Sequence, residues 1–194
     1  FPARDYLLGL LLDRSDYLRY FGLEHHHLDL MARQFSAEDM IHTIFPDLMR
    51  WLEVHSGRIA ILNSDRELYT YHVYRNGTIV QGRPSTVRDE EELLRALRSN
   101  RPLVAGQDND PLTRSVLEKN KAAWIQPIVH RQRVLGFLIL GEPPRNRYAL
   151  RGLQMFSRKA AVSIQNQILS YKVVDSQPFE QELLVAERIA GYLL

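Results

Sequence analysis

The sequence predicts an α+β domain with a central, mostly antiparallel sheet, helices on both faces, and long helices at the N- and C-terminal ends. Two apolar runs within 122–141 flank the short basic segment 130–133, which has the length of a tight hairpin connection. The second run, 134–140, is almost continuously apolar, which indicates a strand covered on both faces. Apolar residues at helical spacing precede and follow the strands, so helices are expected to supply the covering layers.

The N-terminal part of the chain carries helix signals. Leucines in 1–30 recur at partial helical spacing, and Ser36 followed by Asp39 predicts the start of a second helix. Pro46 is expected to kink or restart that helix, because proline removes an internal hydrogen bond. The dipeptide Ser56-Gly57 is expected to end it.

Strand and turn signals follow in order. Strands are predicted at 58–62 and at the aromatic-rich segment 68–75, and Asn76-Gly77 predicts a hairpin turn that returns the chain through 78–81. The remaining expected elements are a helix at 89–98, an edge strand at 101–105, a short helix at 112–120, the central hairpin, and helices at 150–168 and 179–194.

Composition excludes several classes of function. The 194 residues contain no cysteine, which excludes disulfides, thiol catalysis, cysteine-bound metals and a thioether-linked chromophore, and which fits a cytoplasmic location. The net charge is +2 with both signs interspersed, so neither nucleic acid nor a membrane surface is an expected partner. No apolar run approaches the roughly 20 residues of a membrane span. The chain begins at Phe1 and ends within an apparent helix, so we expect a fragment of a longer protein.

Patterns for metal binding and catalysis are weak. The triplet 25–27 is all histidine, but adjacent helical residues point in different directions and do not easily share one ion. His72 and His130 are candidate haem ligands, although a lone strand histidine is more often structural or solvated. No P-loop, Ser-His-Asp spacing or paired-carboxylate motif is present. We therefore expect no catalytic residue, no metal and no required cofactor.

Strand alternation groups several candidate binding residues. Arg58, Ala60 and Leu62 share one face of their strand. If that face borders a cleft, Arg58 is suited to a phosphate or carboxylate; the alternative is that it lies at the strand end and reaches into water. Trp124 and Gln126 also share a face, where Trp124 either floors the cleft or fills the core.

Five segments resemble the GAF family. They are 57–63 (GRIAILN), 100–104 (NRPLV), 125–128 (IQPI), 134–141 (VLGFLILG) and the closing helix at 153–166, which ends in AAVSIQN. The resemblance covers 36–169 and divides the chain into an N-terminal helical segment at 1–35, a GAF-like sensory domain at 36–170 and a helical linker at 171–194.

The GAF resemblance implies a small-molecule cleft between the sheet and the helices on one side. Many members bind cyclic nucleotides and place base-contacting residues where Tyr74 and Arg75 end their strand. The lid of the cleft corresponds to 108–115, with candidate ligand contacts at Asp108, Thr113 and Arg114. The expected ligand is a cyclic nucleotide, cAMP before cGMP. The Asn-Lys…Phe…Asp-Glu signature of one cyclic-nucleotide subset is not matched.

The tail carries a second resemblance. Residues 179–194 (FEQELLVAERIAGYLL) are similar to the helix that enters bacterial metal-dependent serine/threonine phosphatases of the 2C type. This implies a homodimeric sensor that controls a C-terminal phosphatase domain through its terminal helices. The alternatives are a sensor of another metabolite with a different output domain, or a ligand-free dimerisation and scaffolding module. In the scaffolding alternative the cleft is closed by Tyr69, Tyr71, Tyr74 and Trp124.

Overall fold

A seven-stranded antiparallel sheet forms the centre of the molecule. The computed structural model describes residues 37–63, 68–107, 110–145 and 148–169. The sheet order is β3-β2-β1-β7-β6-β5, and β4 pairs with β2. The strands are β1 Ser56–Asn63, β2 Leu68–Arg75, β3 Thr78–Gln81, β4 Ser85–Thr86, β5 Leu103–Val104, β6 Trp124–His130 and β7 Arg133–Leu140.

Four helical segments surround the sheet in the described part of the chain. The first, α1, is helical throughout 37–51, with α-helix at Ala37–Asp39, π-helix at Met40–Ile44 and α-helix at Phe45–Trp51. The others are α2 at Glu91–Ala96, which continues as a 3₁₀ turn at Leu97–Ser99, α3 at Pro111–Lys119, and α4 at 149–169. Within the described residues, no helix is both long enough and apolar enough to cross a membrane.

The central hairpin is confirmed as β6 and β7. Arg131 and Gln132 connect the strands with φ angles of 46° and 68°, and His130 pairs with Arg133. Two residues with positive φ are typical of the type I′ turn, whose twist matches that of the flanking strands. The Asn76-Gly77 turn between β2 and β3 is also confirmed, with φ angles of 45° and 89°.

The sheet is covered on both faces, as the apolar run of β7 predicts. One face, here called the terminal-helix face, is covered by α1 and α4. There Leu138 and Leu140 belong to a core that includes Phe45 of α1 and Phe156 of α4. The opposite, short-helix face is covered by α2 and α3 and has a second core, whose members include Ala60, Tyr69, Phe137, Leu97 and Val116. Burial of each large apolar side chain contributes about 1.5–3 kcal/mol, so both layers stabilise the fold.

The end of α1 differs from the prediction. The helix stops at Trp51 because Glu53 adopts a left-handed conformation with φ 56°. The amides of Glu53 and Val54 donate to the carbonyls of Arg50 and Met49, both at 3.1 Å, which is the Schellman pattern. Pro46 lies in the first turn of the restarted α-helix, as predicted. Ser56-Gly57 instead begins β1.

The other boundaries shift by a few residues. β2 and β3 match their predictions, whereas β5 is shorter than predicted and α2 starts two residues later. The sequence does not predict β4, because two residues carry no periodic pattern and their pairing with β2 is a tertiary contact. The expected helices at 1–30 and 179–194, the cap Ser36, the histidine triplet and Asp108 lie outside the described residues.

Candidate functional site

β1 brings three of the predicted site residues to the short-helix face. Across the strand pairs, Arg58 is opposite Val73 and Ile139, and Ala60 is opposite Tyr71 and Phe137. Ala60 and Leu62 are 0% and 6% exposed and belong to the core beneath α2 and α3. Arg58 is half-buried at the end of this row, where the core gives way to an open surface.

Aromatic side chains fill the middle of the short-helix face. The rings of Tyr69 and Tyr71 lie 5.0 and 5.9 Å from that of Phe137, measured between centroids. The Tyr71 hydroxyl donates to Glu90 Oε1 at 2.7 Å. Burial raises the pKa of Tyr69 to about 12, and burial together with the Glu90 contact raises the pKa of Tyr71 further. Both phenols therefore stay protonated at neutral pH.

An open depression, here called the basic depression, lies beside Arg58. It has a volume of about 410 Å³ and is formed where β1 begins, β2 and β7 end, and α3 ends. Its lining includes Arg58, Arg75, Lys119 and Lys121, and the described residues that line it include no carboxylate. The depression is thus electropositive.

Arg58 is held by the end of α3. Its Nη2 donates to the carbonyl oxygen of Asn120 at 2.6 Å. This carbonyl lies at the C-terminal, electronegative end of the helix, where a cation is stabilising. Arg58 is therefore anchored by protein, unlike the alternative in which it only reaches into water. Arg58 also lines the depression, so its remaining N–H groups are available to donate to an anion bound there.

A second open depression, here called the adjacent depression, lies next to the first. It has a volume of about 470 Å³, includes the predicted contact Arg114, and shares Lys121 and Gly141 with the basic depression. Small or apolar residues form much of its lining, with Glu118 as its acidic member. The two depressions offer one place for an anionic group and an adjacent place for a less polar one.

Thr113 is occupied by helix capping. Its backbone N and its Oγ1 lie 2.9 and 3.0 Å from Asp110 Oδ2, and the residue is 6% exposed. Asp110 is the N-cap of α3, so this helix start already holds a carboxylate. Asp108 lies outside the described residues, which leaves Arg114 as the open cationic residue of the predicted lid.

Three predicted contacts face away from the Arg58 row. The ring of Tyr74 packs edge-on against Phe45 of α1 at a centroid distance of 6.1 Å. Trp124 packs against the core of the terminal-helix face, and its Nε1 donates to Gln126 Oε1 at 3.4 Å. The structure therefore places Trp124 and Gln126 away from Arg58, whereas Tyr74 belongs to the lining of the basic depression although its ring packs on the opposite face. Alternation fixes which residues share a face but not which helices cover it.

Sequence reasoning missed two cations of the basic depression, Lys119 and Lys121. The signal that could have found them is the polar run Lys119-Asn120-Lys121 at the end of a predicted helix. Among the described residues, no group of three or more histidine, aspartate or glutamate side chains is arranged to hold a metal ion.

Comparisons with known proteins show the fold. Neither the protein-family models nor the curated proteins contain a match. Among solved structures, the GAF domain of an Acinetobacter phosphoenolpyruvate-protein phosphotransferase is similar with TM-score 0.55 and 13% identity, over 80% of this chain and 98% of that one.

Two further solved structures are similar at lower TM-scores. The GAF domain of A. aeolicus nlh2 in an inactive state has TM-score 0.43 and 12% identity, over 81% and 98% of the two chains. A far-red absorbing dark state with bound biliverdin IXa has TM-score 0.48 and 14% identity, over 74% and 97%. The Acinetobacter likeness together with the sheet order shows that this chain has the fold of a GAF domain.

Proposed function

We propose that this chain is a non-catalytic, small-molecule-sensing regulatory domain whose ligand is an anion bound at the basic depression. One observation carries the proposal. Arg58 is half-buried on the short-helix face, anchored to the end of α3, and open to a depression that it shares with Arg75, Lys119 and Lys121. Guanidinium and ammonium groups that converge on one depression favour a phosphate or carboxylate.

The ligand that the sequence favours is a cyclic nucleotide, cAMP before cGMP. Volumes of about 300–1,000 Å³ are usual for small-molecule sites, and the two depressions of about 410 and 470 Å³ lie within that range. In this proposal the phosphate contacts Arg58 and Arg75, and the rest of the ligand extends toward Arg114. Ala60 and Leu62 share the strand face of Arg58 and belong to the buried core of that face.

The proposed output is a 2C-type serine/threonine phosphatase domain in the same chain, controlled through a helical, homodimeric linker in a bacterial, cytoplasmic protein. β1 offers a physical connection, because Arg58 faces the ligand side while Ile59 and Ile61 belong to the core that contacts α1 and α4. Coupling requires only that the ligand bind one of two arrangements of these helices more tightly.

Calorimetric titration with cAMP and, in parallel, cGMP tests the binding proposal. We expect saturable binding of one nucleotide, weakened at least tenfold by Arg58→Ala, which is about 1.4 kcal/mol. Arg58→Lys keeps the positive charge without the guanidinium fork, so it separates the loss of charge from the loss of the contact with the Asn120 carbonyl. Arg151→Ala removes an exposed arginine from α4 and is the matched control. Equal affinity in the Arg58 variants and the wild type would overturn the site.

The scaffolding alternative is favoured by one observation. Tyr69, Tyr71 and Phe137 already fill the middle of the short-helix face, as a permanently closed cleft would require. In that case Arg58 serves only to anchor α3. No heat with any anion, together with a lower thermal midpoint for Arg58→Ala, would favour the scaffold over the sensor.

A further inference from the structure

We infer that the basic depression takes an anion with two or more negative charges, in particular contiguous phosphates, and that Lys121 is one of the binding residues. This inference rests on the proposed function, because it concerns the same anion site; it differs in favouring a ligand with several negative charges over a cyclic nucleotide. It adds Lys121, which strand alternation does not predict as a binding residue. It also specifies that the anion carries two or more negative charges.

The first argument is the proximity of like charges. Arg58 is opposite Val73, and Arg75 follows Val73 by two residues on β2, so the two arginines lie diagonally on one face. Such diagonal neighbours are about 7–8 Å apart, which is close enough for one anionic ligand to contact both side chains. The fourth cation of the depression, Lys119, forms an ion pair with Glu92 at 3.1 Å, so its charge is already balanced.

The described residues that line the basic depression include no carboxylate that could balance its cations. In the described ranges, neither Arg75 nor Lys121 forms an ion pair. Arg58, Arg75 and Lys121 therefore present three positive charges to one depression, with the Arg58 guanidinium fixed by the Asn120 carbonyl. One ligand with several joined anionic groups can contact all three cations. It loses translational and rotational freedom only once, whereas separate anions would lose it for each one that binds.

The second argument is the backbone of Lys121. The amide of Lys121 donates to the Glu118 carbonyl at 3.0 Å and that of Ala122 to the Leu117 carbonyl at 2.9 Å, so α3 ends in a Schellman motif. Lys121 takes its left-handed position, with φ 49°. The motif thereby fixes the base of the lysine side chain at the border of both depressions.

Charge matching decides between ligand classes. A cyclic nucleotide carries one negative charge, so it gains less from the exposed cations Arg75 and Lys121 than a ligand with several negative charges does. Two joined phosphates place several oxygens within reach of both guanidinium forks and the ammonium group. The adjacent depression then has room for a nucleoside attached to the phosphates.

The test is calorimetric titration of the full chain with pyrophosphate, ADP, citrate and cAMP at one ionic strength. We expect pyrophosphate and ADP to bind at least tenfold more tightly than cAMP and than citrate. Citrate binding as tightly as pyrophosphate would overturn the assignment to phosphates. Binding of cAMP that depends on Arg58, without binding of pyrophosphate or ADP, would overturn this inference and leave the proposed function standing. Binding of none of them would remove both.

Lys121→Gly tests the residue without endangering the fold. Glycine suits a left-handed position, so this variant is expected to keep or raise the thermal midpoint while its pyrophosphate affinity falls at least tenfold. Glu53→Gly is the matched control, because Glu53 has the same position at the end of α1, with φ 56°, and does not line the depression. Wild-type affinity in Lys121→Gly would overturn the role of Lys121.

Discussion

Gly152 lies in α4 directly against the indole ring of Trp51. A Cβ built at position 152 would overlap two ring atoms of Trp51 and crowd a third. Gly152 is buried, and Trp51 packs against the core of the terminal-helix face. The glycine thus allows α1 and α4 to approach closely on this side of the sheet.

Gly152→Ala is expected to destabilise the fold, although alanine at an exposed helical position usually stabilises by up to about 1 kcal/mol. The methyl group would push the Trp51 ring, and overpacking of this kind costs about 1–3 kcal/mol. Chemical denaturation gives the free energy of unfolding of each variant. A more stable Gly152→Ala protein would contradict the observed packing.

A double-mutant cycle shows whether Trp51 is the cause. In a Trp51→Leu background the added methyl group has room, so the cost of Gly152→Ala is expected to shrink or reverse. An unchanged cost would place the strain elsewhere in α4.

At the scale of elements, α1 and β2 contact each other through two histidines. His42 lies in the π-helical part of α1 and His72 in β2, with ring centroids 6.1 Å apart. Burial of His72 lowers its pKa below the usual 6.5, the charge of His42 lowers it further, and Glu38 acts in the opposite direction. The contact therefore favours the neutral form of His72.

This shift predicts how stability depends on pH. A histidine with a lowered folded pKa takes up protons more readily in the unfolded chain, so stability is present above pH 6.5 and is lost as the pH falls toward the folded pKa. We expect the free energy of unfolding to fall when the pH is lowered from 7 to 5. This decrease should be smaller in His72→Gln than in the wild type. Guanidinium titrations at both values measure this, and equal decreases would exclude a contribution from His72.

At the scale of the whole molecule, the surface of α4 that faces away from the sheet carries a row of exposed apolar side chains, here called the outer stripe. Val162 and Leu169 are 44% and 51% exposed and lie seven residues apart, so they share one side of the helix. Met155, seven residues before Val162, continues the same line and is half-buried. A stripe of this spacing is typical of helices that pair with a second copy.

We predict that the chain is a homodimer through this stripe. Val162→Glu places a charge in the interface and is expected to shift the molar mass measured by light scattering from dimer to monomer. Gln154→Glu adds the same charge to another exposed position of α4 and is expected to leave the dimer intact. A monomeric wild-type protein would rule out the proposed transmission through paired helices.

Local patterns in the sequence are sufficient to predict the elements. The Asn76-Gly77 turn, the two-residue connection between β6 and β7, and the periodicity of α4 each depend on residues close together in the chain. The common face of Arg58, Ala60 and Leu62 is equally predictable, since alternation follows from strand geometry alone. The α+β class, the hairpins and the order of elements therefore follow from the amino-acid sequence by itself.

Only the tertiary structure decided which face of the sheet is open and what meets there. The sequence groups Tyr74 and Trp124 with Arg58 because no local pattern tells which helices cover which face. The Arg58–Asn120 contact joins residues 62 positions apart, and Lys121 reaches the same depression through the end of α3. Contacts over such separations arise from the packing of elements against each other, which is why the sequence determined the parts of the site and the fold assembled them.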